Sequence, residues 1–341
     1  MAVVEPAAVS PAQKVFQEPD NLQRRKLADR SFVFWGLLAT SLGLAVLAAL
    51  VTGLYINAAP KLTPAFFMSF PAPDAAAAGI LSAWVGSIFV IITTALIAIP
   101  LGVMAAIYLE EYAAKNALTD VIEVTVNNLA GIPSIVYGLL GLGLFVYQFS
   151  MGQTILTAGL TLALLILPVI IVATREAVRA VPQGIREAAL SVGATRWQTT
   201  SHHVLPYATP GVVTGVIIGL SRALGETAPL IVIGVPTFVA FLPFLTPADV
   251  GMPIYDETGA EHVVTNSDML MSWLPIAPHD QGWLSQLFTV MPMQMFNWTG
   301  RPEAEFQQNA AAAGIVLLVI TLLMNGTAIW LRYRMRKNIR W

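Results

Sequence analysis

Gly211-Val-Val-Thr-Gly215-Val-Ile-Ile-Gly219-Leu-Ser-Arg222-Ala-Leu-Gly225-Glu226-Thr227-Ala-Pro229-Leu-Ile-Val-Ile-Gly234 is an apolar run with one arginine and one glutamate in it. A helix crosses the hydrocarbon core in roughly 20 residues, and an ionisable residue inside such a span costs roughly 2.5–3.5 kcal/mol on insertion scales. A pair kept there faces protein or water and marks a substrate path or a helix contact. The spacing predicts that Arg222 and Glu226 meet one turn apart on a single helix. Gly211, Gly215 and Gly219 recur every fourth residue, the small-residue pattern of close helix packing in membranes. Arg222 follows Gly215 by two turns and so is expected on the same stripe. Two readings follow. The pair pins a helix bundle, or Arg222 offers its planar fork to a tetrahedral oxyanion while Glu226 holds it in place.

Outward from this run, the composition is that of a membrane protein. Only 11% of the 341 residues are charged, where soluble domains carry about a quarter, and mean hydropathy is +0.69. With no cysteine, disulfides, thiolate zinc sites and iron–sulfur clusters are excluded. Six runs are long and apolar enough to span: Phe32–Ile56, Ile80–Leu109, Leu129–Phe149, Thr154–Ala173, Gly211–Val239 and Ala310–Leu331. Pro100 and Pro168 are expected to kink the second and fourth. The fold class read from this is an all-α polytopic membrane protein with six transmembrane helices.

Orientation follows from lysine and arginine. Residues 1–31, 110–128, 175–210 and the segment after Leu331 hold fifteen of the eighteen. The alternate connections hold only Lys61 and Arg301, and Arg222 lies within a span. Both termini are therefore expected in the cytoplasm, on the same side as 175–210. The division expected is a flexible cytoplasmic leader 1–31 without a cleaved signal peptide, an N-terminal span 32–56, a core 80–331 and a basic tail 332–341. Segment 240–309, acidic and rich in Pro, Trp and Met, is expected outside as an ordered cap that contributes to partner docking.

The loop 175–210 contains Glu187-Ala188-Ala189, three residues, Gly193, and then Leu205-Pro206. This resembles the Glu-Ala-Ala signature of ABC importer permeases, with His203 at a position where that signature has Ile. The resemblance implies a short helix, a bend at Gly193 and a second helix, the first docking on a cytoplasmic ATPase. Small Ala188 and Ala189 suit close approach, Gly193 suits a turn closed to other residues, and Pro206 is expected to end the element. The sequence has no Gly-x-x-x-x-Gly-Lys-Ser/Thr loop, so ATP is expected on a partner subunit and the chain is read as a transport component, not an enzyme. No cofactor is expected in this chain.

Arg222-Ala-Leu-Gly225-Glu226-Thr227-Ala-Pro229-Leu230 resembles the Arg-x-x-Gly-Glu-Thr-Ala-Pro-Leu stretch of the A-type permeases of bacterial Pst phosphate importers. Pro292–Pro302 and Asn309–Ile315 also resemble those chains. The resemblance extends from about residue 80 to the C-terminus. It implies the type I importer (MetI-like) permease fold in a bacterial inner membrane. It also implies a second, C-type permease, an ATPase dimer and an extracytoplasmic phosphate-binding protein as partners, and no nucleic acid. Arg222, Glu226 and Thr227 are then expected on the substrate path. The alternatives are a permease for another oxyanion such as molybdate or sulfate, against which the Gly-Glu-Thr-Ala-Pro-Leu run argues, or a membrane scaffold for phosphate sensing.

Weaker signals remain. His202 and His203 are adjacent and point apart on a helix, so no metal pair is expected there. Gly131 and Pro133 are expected to break the start of the third run, either lining a cavity or bending at the membrane face. Glu110, Glu111 and Glu123 are expected to be solvated.

Overall fold

The computed structural model describes residues 19–242, 254–255, 261–262 and 282–337, and the chain divides into two units, Met1–Ile56 and Asn57–Trp341. In the first unit, α1 is an unbroken helix that runs Pro19–Ala58. It begins inside the stretch expected to be a flexible leader, because the charged residues before Phe32 are themselves good helix formers.

The second unit is built from α2 (Pro64–Met68), α3 (Leu81–Ile107), α4 (Ala117–Leu129), α5 (Ser134–Gly141), α6 (Ile155–Arg179), α7 (Gln183–Ser191), α8 (Arg196–Thr199), α9 (Leu205–Gly225), α10 (Ala228–Ile233), α11 (Met291–Thr299) and α12 (Ala304–Lys337). Among the described residues five helices are long and apolar enough to cross a membrane, and a sixth crossing exists if α4 and α5 count as one bent span. The helices run through Pro100 and Pro168. α12 continues past Leu331, so most of the expected tail is helical. In segment 240–309 a two-residue antiparallel pair, Ile254–Tyr255 with Glu261–His262, precedes a turn at Trp283–Ser285 and α11. Residues 243–253, 256–260 and 263–281 of that segment lie outside the described residues.

The third expected span is not straight. α4, capped by the Asn116 side chain accepting from Thr119 N at 2.9 Å, meets the next helical stretch, Ser134–Gln148, at 103°. The break falls at Ala130–Pro133, where the proline ring bars helix for Ile132. Tyr137 Oη donates at 2.9 Å to Leu129 O, a carbonyl at the end of α4 that also accepts from Ile132 N at 3.2 Å. α5 then widens into a π-helical stretch, Leu142–Gln148.

Contacts decide how this bent segment is placed. Gly159 of α6 lies against Thr93 of α3, and Gly102 of α3 lies against Ile170 of α6. Residue number therefore rises in the same direction along both helices, which are parallel neighbours. The chain between them must return across the thickness of the bundle, and α4 with α5 makes that return. Gly211, Gly215 and Gly219 of α9 lie against Ala177, Ala173 and Ile170 of α6 in turn, so α9 runs antiparallel to α6. The core between these helices holds Val90, Leu162, Ile166, Ile170, Leu230, Ile233 and Phe288, each fully or almost fully buried. At the end of the bundle where α3 and α6 begin, Ser87 Oγ accepts from Met291 N at 2.9 Å, Asn309 Nδ2 donates to Ala75 O at 2.9 Å, and Lys61 pairs with Glu305 at 3.5 Å.

The fifth expected span is shifted and broken. Its helix starts at Arg196 and stays helical to Gly225, with a π-turn over Thr200–Val204. Pro206 therefore does not end the element. The wide turn sits immediately before it, where a proline ring would otherwise press on the carbonyl four residues back. At the other end the helix stops at Gly225, short of Val239.

Candidate functional site

The stop at Gly225 places the charged pair. Glu226 is extended (φ −79°, ψ 119°) and Thr227 precedes α10, which closes on Gly234 at φ +84°. Pro229 explains the break, because it cannot donate to the carbonyl of Gly225 four residues earlier. Leu224 and Leu230 line one small gap in the core together with Leu162 and Val90, and Gly234 lies against Gln153, just before the start of α6. Leu162 is two turns into α6, about 10 Å at 1.5 Å per residue. The break therefore sits inside the span, toward the end where α6 begins. Non-helical backbone at that depth is tolerated where it lines a cavity or is covered by protein.

Arg222 and Glu226 meet, but loosely and not on a single helix, because Glu226 is extended beyond the end of α9. The Arg222 Nε–Glu226 Oε1 distance is 3.4 Å, with the side chains 42% and 19% exposed. The glycine stripe and the pair are only partly one surface. Gly215 and Gly219 are buried against α6, whereas Arg222 emerges at the margin of that face beside exposed Ile218 and Gly225. A seven-residue step falls about 20° short of two full turns, and Arg222 lies outside the α6 contact that buries Gly215 and Gly219. α5 touches α10 where Gly138 lies against Pro229. A guanidinium with open donors beside a helix break, backed by a carboxylate, can receive an oxyanion and release it.

The second candidate site is the α7–α8 turn. Gly193 N donates to Leu190 O at 3.0 Å and Ala194 N to Ala189 O at 3.1 Å. These two bonds are those of a Schellman motif, whose glycine takes a left-handed conformation, and Gly193 has φ +87°. Two residues on, Thr195 and Gln198 form a reciprocal capping box that starts α8. Glycine and cap together set the angle between the two helices. Ala189 is buried under the turn, while Glu187, Ala188, Leu190, Val192 and Trp197 are exposed. Leu205 and Pro206 lie within the continuing helix and not at its end.

The three carboxylates expected to be solvated are instead paired. Glu110 Oε2 lies 2.9 Å from Arg179 and 3.4 Å from Arg175, and Arg175 also binds Glu123. Glu111 Oε1 is 2.7 Å from Arg186 Nη2. Arg175, Arg186, Glu110 and Glu111 are largely shielded from solvent. The sequence carries a partial signal for this group. Arg175 and Arg179 are one turn apart, as charges aimed at a shared partner would be, but nothing local names Glu110 or Glu123 as that partner.

With this geometry in place, comparison with known proteins gives a consistent result. The protein named "Probable ABC transporter permease protein YqgI" of Bacillus subtilis (strain 168) is 36% identical over 61% of this chain and 70% of its own length. The "Phosphate transport system permease protein PstA" of Mycobacterium leprae (strain TN) is 38% identical over 47% of this chain; the match spans 53%, about half, of that relative. Among solved structures, that of a bacterial alginate ABC transporter in complex with an alginate pentasaccharide-bound periplasmic protein has a TM-score of 0.54. It covers 89% of this chain and 94% of its own at 14% identity, a likeness of fold alone. Residues 98–337, well over half of the chain, match the family model described as binding-protein-dependent transport system inner membrane component. The protein is thus a multi-pass, all-α permease with the type I importer fold, a transport component and not an enzyme, and it belongs to the family of binding-protein-dependent transport system inner membrane components.

Proposed function

We propose that this chain is a transmembrane permease subunit of an ATP-driven inorganic phosphate importer. The observation that carries the reading is the Arg222–Glu226 pair at a helix break inside a span, in a chain 38% identical over 161 residues to a protein named as a phosphate transport system permease. Arg222, Glu226 and Thr227 belong to the anion path. A second permease of the C type completes that path, and an extracytoplasmic phosphate-binding protein delivers the anion. An ATPase dimer that binds ATP docks on the exposed face of α7 through Glu187, Ala188 and the neighbouring Leu190. The assembly sits in the bacterial inner membrane among its lipids. Proteoliposomes containing the full assembly should accumulate phosphate in an ATP-dependent manner, and those lacking this subunit should not. Uptake of molybdate or sulfate in place of phosphate would overturn the assignment of substrate.

The lysine and arginine asymmetry supports an orientation with both ends of the chain and α7 in the cytoplasm. Because the sequence lacks cysteine, single cysteines report this cleanly. Substitutions at Asp29, Ser191 and Lys337 should resist an impermeant thiol reagent applied to intact spheroplasts, and one at Ala76 should react. Labelling of Ser191→Cys from outside would reverse the orientation.

A further inference from the structure

The paired charges next to α7 form a connected body. Arg186 of α7 is largely shielded from solvent, while its neighbour Glu187 is exposed. Its Nε lies 3.0 Å from Glu111 Oε1, its Nη2 donates to Glu111 Oε1 at 2.7 Å and to Val178 O at 3.0 Å, and its Nη1 donates to Val181 O at 2.7 Å. One guanidinium therefore ties α7 to the π-turn that ends α3, Tyr108–Tyr112, and to carbonyls in the last turn of α6 and just beyond it. Beside it, Glu110 of the same π-turn binds Arg175 and Arg179 of α6, and Arg175 binds Glu123 of α4. α4 leads through the braced corner at Tyr137 into α5, and α5 touches α10 at Pro229, three residues beyond Glu226.

Little of this network is explained by stability. Buried ion pairs are often no more stabilising than apolar residues of the same volume, and their best-attested use is to fix register between elements. Here the partners are separated by 52 to 75 residues in sequence, and they join the helix that carries the docking face to the corner that carries α5. A guanidinium held by four acceptor contacts in a planar fork transmits both push and twist, which a single apolar contact does not.

We propose that Arg186 and Glu111 are positioning residues for coupling: they make α7 and the ends of α3, α4 and α6 move as one body, so that displacement of α7 by the ATPase reaches the α4–α5 corner and, through α5, the Arg222 break. This rests on the permease reading above. In the reconstituted assembly, Glu111→Gln and Arg186→Gln should each keep the ATPase bound while phosphate transported per ATP hydrolysed falls about tenfold, within the range for residues that carry coupling without touching ligand. The double substitution should be no worse than either single, the signature of one shared interaction. Glu111→Gln leaves the carbonyl bonds of Arg186 in place and carries the test if Arg186→Gln does not assemble. Unchanged transport per ATP in Glu111→Gln, or losses that add in the double variant, would overturn the proposal.

A second measurement does not depend on the transported ion. Spin labels at Gln183→Cys on α7 and Asp120→Cys on α4 should give one distance distribution, the same in the nucleotide-free and ATP-trapped assembly. In Glu111→Gln the distribution should broaden or shift between the two states. A wild-type distance that changes with nucleotide would show that α7 and α4 are not one body. Absence of phosphate uptake by the wild-type assembly would instead defeat the substrate assignment and leave the distance result to be judged by itself.

Discussion

Arg222→Gln is expected to abolish most phosphate uptake, by about a hundredfold, while leaving the subunit folded and assembled. The magnitude is that of losing one charge-assisted contact worth up to about 3 kcal/mol at the step where the anion passes. The preserved fold follows from the geometry. Arg222 and Glu226 share one 3.4 Å contact, whereas α9 is held to α6 by the close approach of Gly211, Gly215 and Gly219. Arg222→Lys keeps the charge but loses the fork, so uptake should fall less than in Arg222→Gln. Pairing Arg222→Gln with Glu226→Gln separates the two roles. If the pair only braces α9, the double variant should transport normally. If Arg222 handles the anion, the double variant should be as inactive as the single. Counterflow of labelled phosphate in proteoliposomes, measured beside the amount of assembled complex, reads both quantities, and full uptake by a well-assembled double variant would falsify the anion-handling role.

Gly193→Val is expected to uncouple ATP hydrolysis from uptake, again with little loss of subunit. A Cβ at Gly193 would meet nothing within 4 Å, so the substitution adds no clash with the rest of the protein. Its effect is confined to the backbone. At φ +87° an L-residue is strained by roughly 1–2 kcal/mol, and a β-branched residue is among the least suited to that region. The turn relieves the strain by leaving the left-handed conformation, which breaks the two Schellman bonds and swings α7 relative to α8. Gly193→Asn is the control, because asparagine enters the left-handed region at lower cost. It should keep near-normal phosphate transport per ATP where valine loses about tenfold, a change of about 1.4 kcal/mol in coupling. Equal behaviour of the two variants would mean that the turn conformation is not what transmits the motion.

The apolar runs, the lysine and arginine asymmetry, Glu187-Ala188-Ala189 with Gly193, and Arg222 through Leu230 were all legible in the sequence. Each depends on short-range chemistry: transfer of a segment into hydrocarbon, a backbone position that only glycine occupies easily, or one helical turn between two side chains. The break at Gly225 was also written locally, in the missing amide of Pro229, but an uninterrupted apolar run reads as one span when composition is weighed above hydrogen bonding. Three features were decided only by tertiary structure. The parallel arrangement of α3 and α6 requires the bent α4–α5 segment to cross, and hydropathy carries no information about which helices are neighbours. The packing of α9 seals its glycines against α6 and leaves Arg222 outside that contact, which depends on which helix lies alongside and not on the spacing within α9. Glu110, Glu111 and Glu123 find arginines 52 to 75 residues away, because a carboxylate held among packed helix ends is stable only when a cation shares the site, and which cation that is depends on how the helices pack.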